Sequence, residues 1–214
     1  MKLISNADVR IANEVLAWAE TFLMEPNPQM KRLPSSTGEA ICPFAKTAMA
    51  GNFLYLTFHH EINGMSEELI ESTVLEYREP FKKVRPYHEK ERLKKALLII
   101  FPEIPPDQTN VLDIVHDNIK TQFVREGLMV TQCHARCDGR SVHNQALKVY
   151  LSPYPLIALR HMAIHDILFV EENEDWFGAY DQRFGARFKE PDKLEDYEKP
   201  LVGVYTRAKA RFVR

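Results

Sequence analysis

Glycine is scarce in this 214-residue chain, with 8 in all and no glycine-rich stretch. A phosphate cradle needs glycines so that backbone N–H groups can close on the anion, and nucleotide-dependent chemistry therefore loses its usual sequence support. No G-x-S-x-G elbow or kinase signature occurs either. Cysteine is limited to three, an odd number that argues against a secreted disulfide scaffold and makes a reducing cytoplasm the expected compartment. Excess positive charge is missing: 28 Lys and Arg stand against 30 Asp and Glu, so no nucleic-acid partner is expected. Long apolar runs are absent too; the stretch 96–101 falls far short of the ~20 residues a spanning helix needs, and neither a membrane partner nor a leader is expected. What is present is ordinary globular content, 45% hydrophobic and 27% charged, enough for one sizeable core.

Periodicity gives the elements. Ile11, Val15, Trp18 and Phe22 repeat at helical spacing over residues 7–24, and Pro26 and Pro28 end that helix. A loop over 34–38 delivers Cys42-Pro43-Phe44. The aromatic run 53–58 reads as a strand ending in His59-His60-Glu61. Ser66 caps a helix with Glu67 and Glu68 in its first turn and Ile70, Val74 and Tyr77 among its buried rows. Residues 96–101 form a buried strand closed by Pro102, Val111 to Phe123 a helix ending at Gly127, and 128–133 a third strand. Strands separated by helices imply helical crossovers, so the expected fold is α/β, a mixed α+β sandwich with a central sheet, an N-terminal helix and a C-terminal helical segment. Ser152-Pro153-Tyr154-Pro155 is expected to open a short helix through Met162, and 166–170 to return to a strand. Trp176, Phe177, Tyr180 and Phe184 lie at helical spacing. Residues 1–188 are read as a single α/β domain and 189–214 as a tail, wrapped or partly disordered.

Four constellations could carry chemistry. Cys42-Pro43 could supply a thiolate to haem iron, or be a small buried hydrophobe at a helix start with Pro43 in the first helical position. Cys133-His134-x-x-Cys137 with His143 offers donors of the kinds zinc prefers, although crowded into one loop; Cys133 or Cys137 could instead be a nucleophile with Arg136 or Arg140 lowering the thiol pKa. His161 and His165 share a face if a helix continues through them, but the glutamate of H-E-x-x-H is missing and a metalloprotease is rejected. His161 is otherwise an iron ligand or a hydrogen-bonded core histidine, and Arg160 suits a carboxylate or a haem propionate by its planar fork. At His59-His60 the strand alternation sends the two rings to opposite faces, so at most one faces a given pocket.

The segment Glu39-Ala40-Ile41-Cys42-Pro43-Phe44-Ala45-Lys46, with Gly51 and the aromatic strand 53–58, resembles the opening motif of the YqcI/YcgG family. Residues 94–101, His134, Asn144, Ser152 to Pro155, Arg160-His161-Met162 and the element from Tyr180 to Gly185 resemble an uncharacterised bacterial domain family of natural-product gene clusters, over most of 7–188. Members of YqcI/YcgG include haem-dependent N-oxygenases, so the resemblance implies haem binding and oxidation of an amine or related nitrogen of an amino-acid-like small molecule. On that resemblance His161 and Cys42 are the candidates for iron, Pro43 and Phe44 for the cofactor's surroundings, His134 for a second or distal position, and Arg160 for a carboxylate. Phe44, Phe53, Tyr55, Trp176 and Phe177 would exclude water from the site. The segment between the third strand and Arg160 is shorter than in that family. The alternatives are a non-catalytic haem or small-ligand binder and a zinc-bearing accessory protein using Cys133, Cys137 and His143; a homodimer is left open.

Overall fold

A computed structural model describes residues 4–30 and 38–212, so the expected loop over 34–38 lies, apart from Gly38, outside the described residues. The chain divides into two compact units, one of residues 1–118 with 130–160 and one of 119–129 with 161–214.

The first unit opens with helix α1, Asn6–Trp18, prolonged by a π-helical turn, Ala19–Met24. Ser5 caps α1 in a reciprocal box: its hydroxyl accepts from the Asp8 N–H, while the Asp8 carboxylate accepts from the Ser5 N–H. The short strands β1, Pro26–Asn27, and β2, Glu39–Ala40, pair antiparallel. Helix α2, Pro43–Ala50, carries Pro43 in its first turn, where the missing N–H costs nothing. Then come strand β3, Leu54–Phe58, helix α3, Glu67–Glu76, capped by Ser66 as expected, and helix α4, Arg78–Lys83. Strand β4, Ala96–Ile100, helix α5, Val111–Arg125, and strand β5, Leu128–Cys133, follow at the expected places. A small hairpin of β6, Arg140–Ser141, and β7, Asn144–Lys148, precedes β8, Leu156–His161.

The main sheet has the order β3-β4-β8-β5, with β3 parallel to β4 and β4 antiparallel to β8. Leu56, Leu98 and Ala158 align across it, as do Phe58, Ile100 and Leu156, so alternate residues of three strands share one face. That face packs on Ile11 and Val15 of α1 together with Cys133. Thr57 lies on the opposite face, where it meets Tyr77 at the end of α3. The expected mixed α/β architecture is therefore what forms, with helical crossovers between sheet strands.

The second unit contains the end of α5, a short helix α6, Ile167–Val170, helix α7, Glu174–Phe184, and helix α8, Leu201–Phe212. Phe177, Tyr180, Phe188 and Tyr205 build its core, with the Phe188 and Tyr205 rings stacked at 4.2 Å. Gly127, beyond the C-terminus of α5, has φ +75, and a Cβ there would meet Arg183, whose guanidinium donates to the Arg125 carbonyl at 2.8 Å.

Two expectations change. Residues 156–161 form a strand rather than a helix, because Phe101 N–H already bonds the Pro155 carbonyl and the run continues that pairing along β4. Residues 166–170 begin in a 3-10 turn and form α6 rather than a strand, since the Asp166 carboxylate accepts from the Ala163 N–H and starts a helical turn. The tail contains α8, anchored by buried Leu201, Tyr205 and Ala208.

Candidate functional site

Asp113, in the first turn of α5, and His134 and Cys137, in the turn after β5, each place one donor atom within 4.8 Å of the others. The turn is held by backbone bonds: Cys137 N–H donates to the His134 carbonyl at 3.2 Å, and His134 N–H to the Tyr150 carbonyl at 3.2 Å. The His134 imidazole is 1% exposed, whereas the Asp113 carboxylate is 42% exposed, so the group reaches solvent on its acidic side. His134 Nε2 donates to Asp113 Oδ1 at 3.2 Å, and that oxygen also accepts from Gln132 Nε2 at 3.0 Å. His134 Nδ1 is buried with no hydrogen-bond partner among the described residues. A neutral imidazole keeps one bare lone pair in either tautomer, and here no protein donor occupies it.

The surroundings of Cys133 and Cys137 disfavour their thiolates. Burial pushes the Cys137 pKa up, Asp113 and Asp138 add to that, and the Gly139 backbone N–H and Lys148 oppose it without winning. Burial also pushes Cys133 far up, with Cys137 and Cys42 as further negative neighbours. Tyr150 is pushed up to about 12, chiefly by burial, with Cys133, Arg160, Cys42 and Cys137 all within electrostatic reach. Gly139 lets this ring close in: a Cβ at that position would fall 2.0 Å from Tyr150 Cδ2.

The surroundings of Cys133 and Cys137 do not supply the activation that a nucleophile needs. Nucleophilic thiols need a lowered pKa, and both are raised. The arginines that were to help them are turned elsewhere, Arg136 to the Asp107 carbonyl and Arg140 to the Gln145 carbonyl.

The other expected residues fall as follows. Cys42 precedes α2, extended and half-buried, its thiol making no cap bond, while its N–H donates to the Leu23 carbonyl at 2.9 Å. Phe44, one residue into α2 past Pro43, lies under the Arg160 guanidinium at 4.2 Å. Arg160 sits opposite Ala96 in the sheet. Cys42, Phe44, Arg160, His134, Cys133 and Cys137 thus all belong to the first unit, as do Phe53 and Tyr55. His161 is the last residue of β8 and belongs to the second unit, with Trp176 and Phe177. His161 and His165 do not share a helical face, because one ends a strand and the other lies in a 3-10 turn stacked on Tyr197. Neither Cys133 nor His143 joins the group of three donors, and His143 is exposed beside the β6–β7 hairpin.

Asp113 and Tyr150 escaped the sequence reading. Asp113 looks like an ordinary acidic residue in a helix's first turn, favourable to the dipole; the usable signal is that β5 follows directly on α5 and returns the chain toward the start of that helix.

No helix among the described residues is long and apolar enough to cross a membrane. No curated protein and no solved structure matches the chain. A family model does match, over residues 12–195, and the chain belongs to that family, described as Domain of unknown function (DUF6875).

Proposed function

We propose that this chain is a metal-dependent protein in which Asp113, His134 and Cys137 hold one divalent transition ion, zinc by donor chemistry. The observation that carries this is the convergence of carboxylate, imidazole and thiol donors within 4.8 Å. Metal–ligand bonds of about 2.0–2.3 Å at tetrahedral angles place two ligands of one ion about 3.3–3.8 Å apart, so the group holds an ion once its side chains draw inward. A thiolate with an imidazole selects zinc and its neighbours over magnesium or calcium. Three protein ligands leave a fourth position for water or substrate, as in catalytic zinc sites, where the ion polarises a carbonyl or lowers the pKa of bound water. The buried sulfur, costly as a bare thiolate, is stabilised once a cation neutralises it.

The test is metal analysis of the purified protein together with a cobalt(II) titration followed by absorption. One ion per chain and a thiolate-to-cobalt charge-transfer band are expected, with affinity falling at least ~10-fold in Cys137→Ser and in His134→Ala. Sub-stoichiometric metal, or a band that survives Cys137→Ser, overturns the assignment.

A second reading is supported by a different observation, the uncommitted Cys42 thiol at the head of α2 with Arg160 stacked on Phe44. On this reading the chain is a haem-dependent oxygenase of specialised metabolism acting on an amine nitrogen. Cys42 would hold the iron, Arg160 would partner a propionate or the substrate's carboxylate, and haem would supply oxygen activation when bound. Expression with a haem precursor separates the two: a stoichiometric Soret band that Cys42→Ala shifts favours haem, and a colourless protein carrying zinc rejects it.

A further inference from the structure

Beyond β3 a chain of hydrogen bonds connects an exposed carboxylate to two hydroxyls. Glu61 Oε1 lies 2.6 Å from His59 Nδ1, His59 Nε2 lies 2.9 Å from Tyr77 Oη, and Tyr77 Oη lies 2.9 Å from Thr57 Oγ1. The proton positions follow from one end. The Glu61 side chain is 62% exposed, and a carboxylate only accepts. His59 Nδ1 therefore carries the proton; when the ring is neutral, Nε2 is the acceptor, Tyr77 donates to it, and the Tyr77 oxygen accepts from Thr57. This is the ordering of a carboxylate–histidine–hydroxyl relay, with tyrosine in the nucleophile's place and an extra donor behind its oxygen.

The histidine is fixed from several sides. It is 8% exposed, its backbone N–H bonds the Ile100 carbonyl at 2.9 Å, and its ring packs edge-on to Tyr77 and against Phe101. Tyr77 sits where α3 ends and α4 begins, so its hydroxyl is carried by the backbone of the helix junction. Such anchoring is what a relay requires, because a ring free to rotate loses the alignment.

We propose that Tyr77 is an activated hydroxyl that takes an acyl group from an activated ester or acyl-azole donor. His59 Nε2 removes the Tyr77 proton as Oη attacks the donor carbonyl; the bond to the leaving group breaks, the leaving group departs with the proton from His59, and an O-acyl tyrosine remains. Glu61 acts as a positioning residue through His59, and Thr57 donates to the oxygen as its charge develops. No oxidant or metal enters, so the proposal stands apart from the metal reading.

N-acetylimidazole is the probe, with acetylation of each tyrosine followed by peptide mass spectrometry. Tyr87 and Tyr197 are 74% and 57% exposed and serve as internal references, since exposure alone favours them over half-buried Tyr77. The expected result is that Tyr77 reacts about 10-fold or more faster than either. His59→Gln lowers the Tyr77 rate below that of Tyr87, Glu61→Gln lowers it several-fold, and the Tyr87 rate is unchanged in both. The wild-type Tyr77 rate also falls as pH drops through the histidine range while the ratio among the other tyrosines holds. Tyr77 reacting no faster than Tyr87, or reacting equally fast in Glu61→Gln, overturns the proposal. Glu61 is a surface residue, so that variant decides the matter even where His59→Gln fails to fold.

Discussion

The two compact units are built on different buried polar groups. In the second unit an aromatic layer carries several that are matched in place. Asp181 accepts from Tyr205 at 2.5 Å and from Lys209 at 2.6 Å, Glu198 at 2% exposure takes Arg187, and the buried Tyr180 hydroxyl donates to the Ile164 carbonyl. In the first unit two thiols lie buried with raised pKa, and His134 keeps an unpartnered nitrogen. Matched groups give a rigid, chemically quiet layer of aromatics and ion pairs. Unmatched donors in a buried turn are a liability unless something binds them, and that contrast is why the chemistry is sought in the first unit.

The strongest challenge to this contrast is a packing change in the quiet unit. Phe177→Ala removes a fully buried ring from among Tyr205 and Phe212 and is expected to cost about 3–5 kcal/mol in urea unfolding. A loss under about 1 kcal/mol would mean that the aromatic layer is not what holds that unit together.

Next in size is the ion pair. Arg187→Met leaves the Glu198 carboxylate buried without its partner, at a cost of about 1–3 kcal/mol, moderated because the arginine is 46% exposed. Replacing both residues by apolar ones is expected to recover part of it, measured by the same unfolding curve.

In the first unit the same kind of change is expected to act differently. His134→Leu removes an imidazole that is already incompletely bonded, so metal-free stability shifts by less than about 1 kcal/mol while metal uptake disappears. Should the metal-free protein lose several kcal/mol, His134 is a structural residue and the contrast between the units fails.

The smallest effect is in pH. His60 bridges Asp8 at 2.7 Å and Glu103 at 3.0 Å, tying α1 to the ends of β3 and β4. The Ser5 N–H and then His60 hold Asp8 down at about 2, and this contribution, present above the ordinary carboxylate range, is lost as pH falls from about 4 to about 2. Glu103 and Asp8 raise the His60 pKa above 6.5, so its contribution is full below about 6.5 and is lost as pH rises through the raised value. The tie is expected to be strongest between about pH 4 and 6.5, and His60→Ala to cost less than about 1 kcal/mol there and less still at pH 9, read from thermal unfolding across pH.

Much of the scaffold is legible in the residues alone. The α1 stripe of Ile11 and Val15, the buried strand 96–100, the Ser66 cap and the left-handed Gly127 each record a local demand, and each lies where the pattern puts it. The run from Leu156 to Leu159 was misassigned because four consecutive apolar residues suit a buried strand and a buried helix equally; its partner β4 made the choice. Helix α8 is anchored by Leu201, Tyr205 and Ala208 at i, i+4 and i+7, a period that Pro200 and Gly203 and the scarcity of large apolar residues obscure in the sequence. Candidate residues such as Cys42, His134, Cys137 and Arg160 were picked out by residue type, while their companions Asp113, Tyr150 and Tyr77 were not.

The sequence by itself determined the class of fold, the order of most elements and the absence of phosphate-loop and paired-disulfide signatures, because periodicity and composition report each segment's own burial and backbone freedom. Only the tertiary structure decided that Asp113 meets His134 and Cys137, that His59 and His60 lead to different carboxylates, and that His161 falls in the other unit from Cys42. Those meetings depend on strand order and on the turn after β5, which long-range pairing sets and which leave no period in the chain.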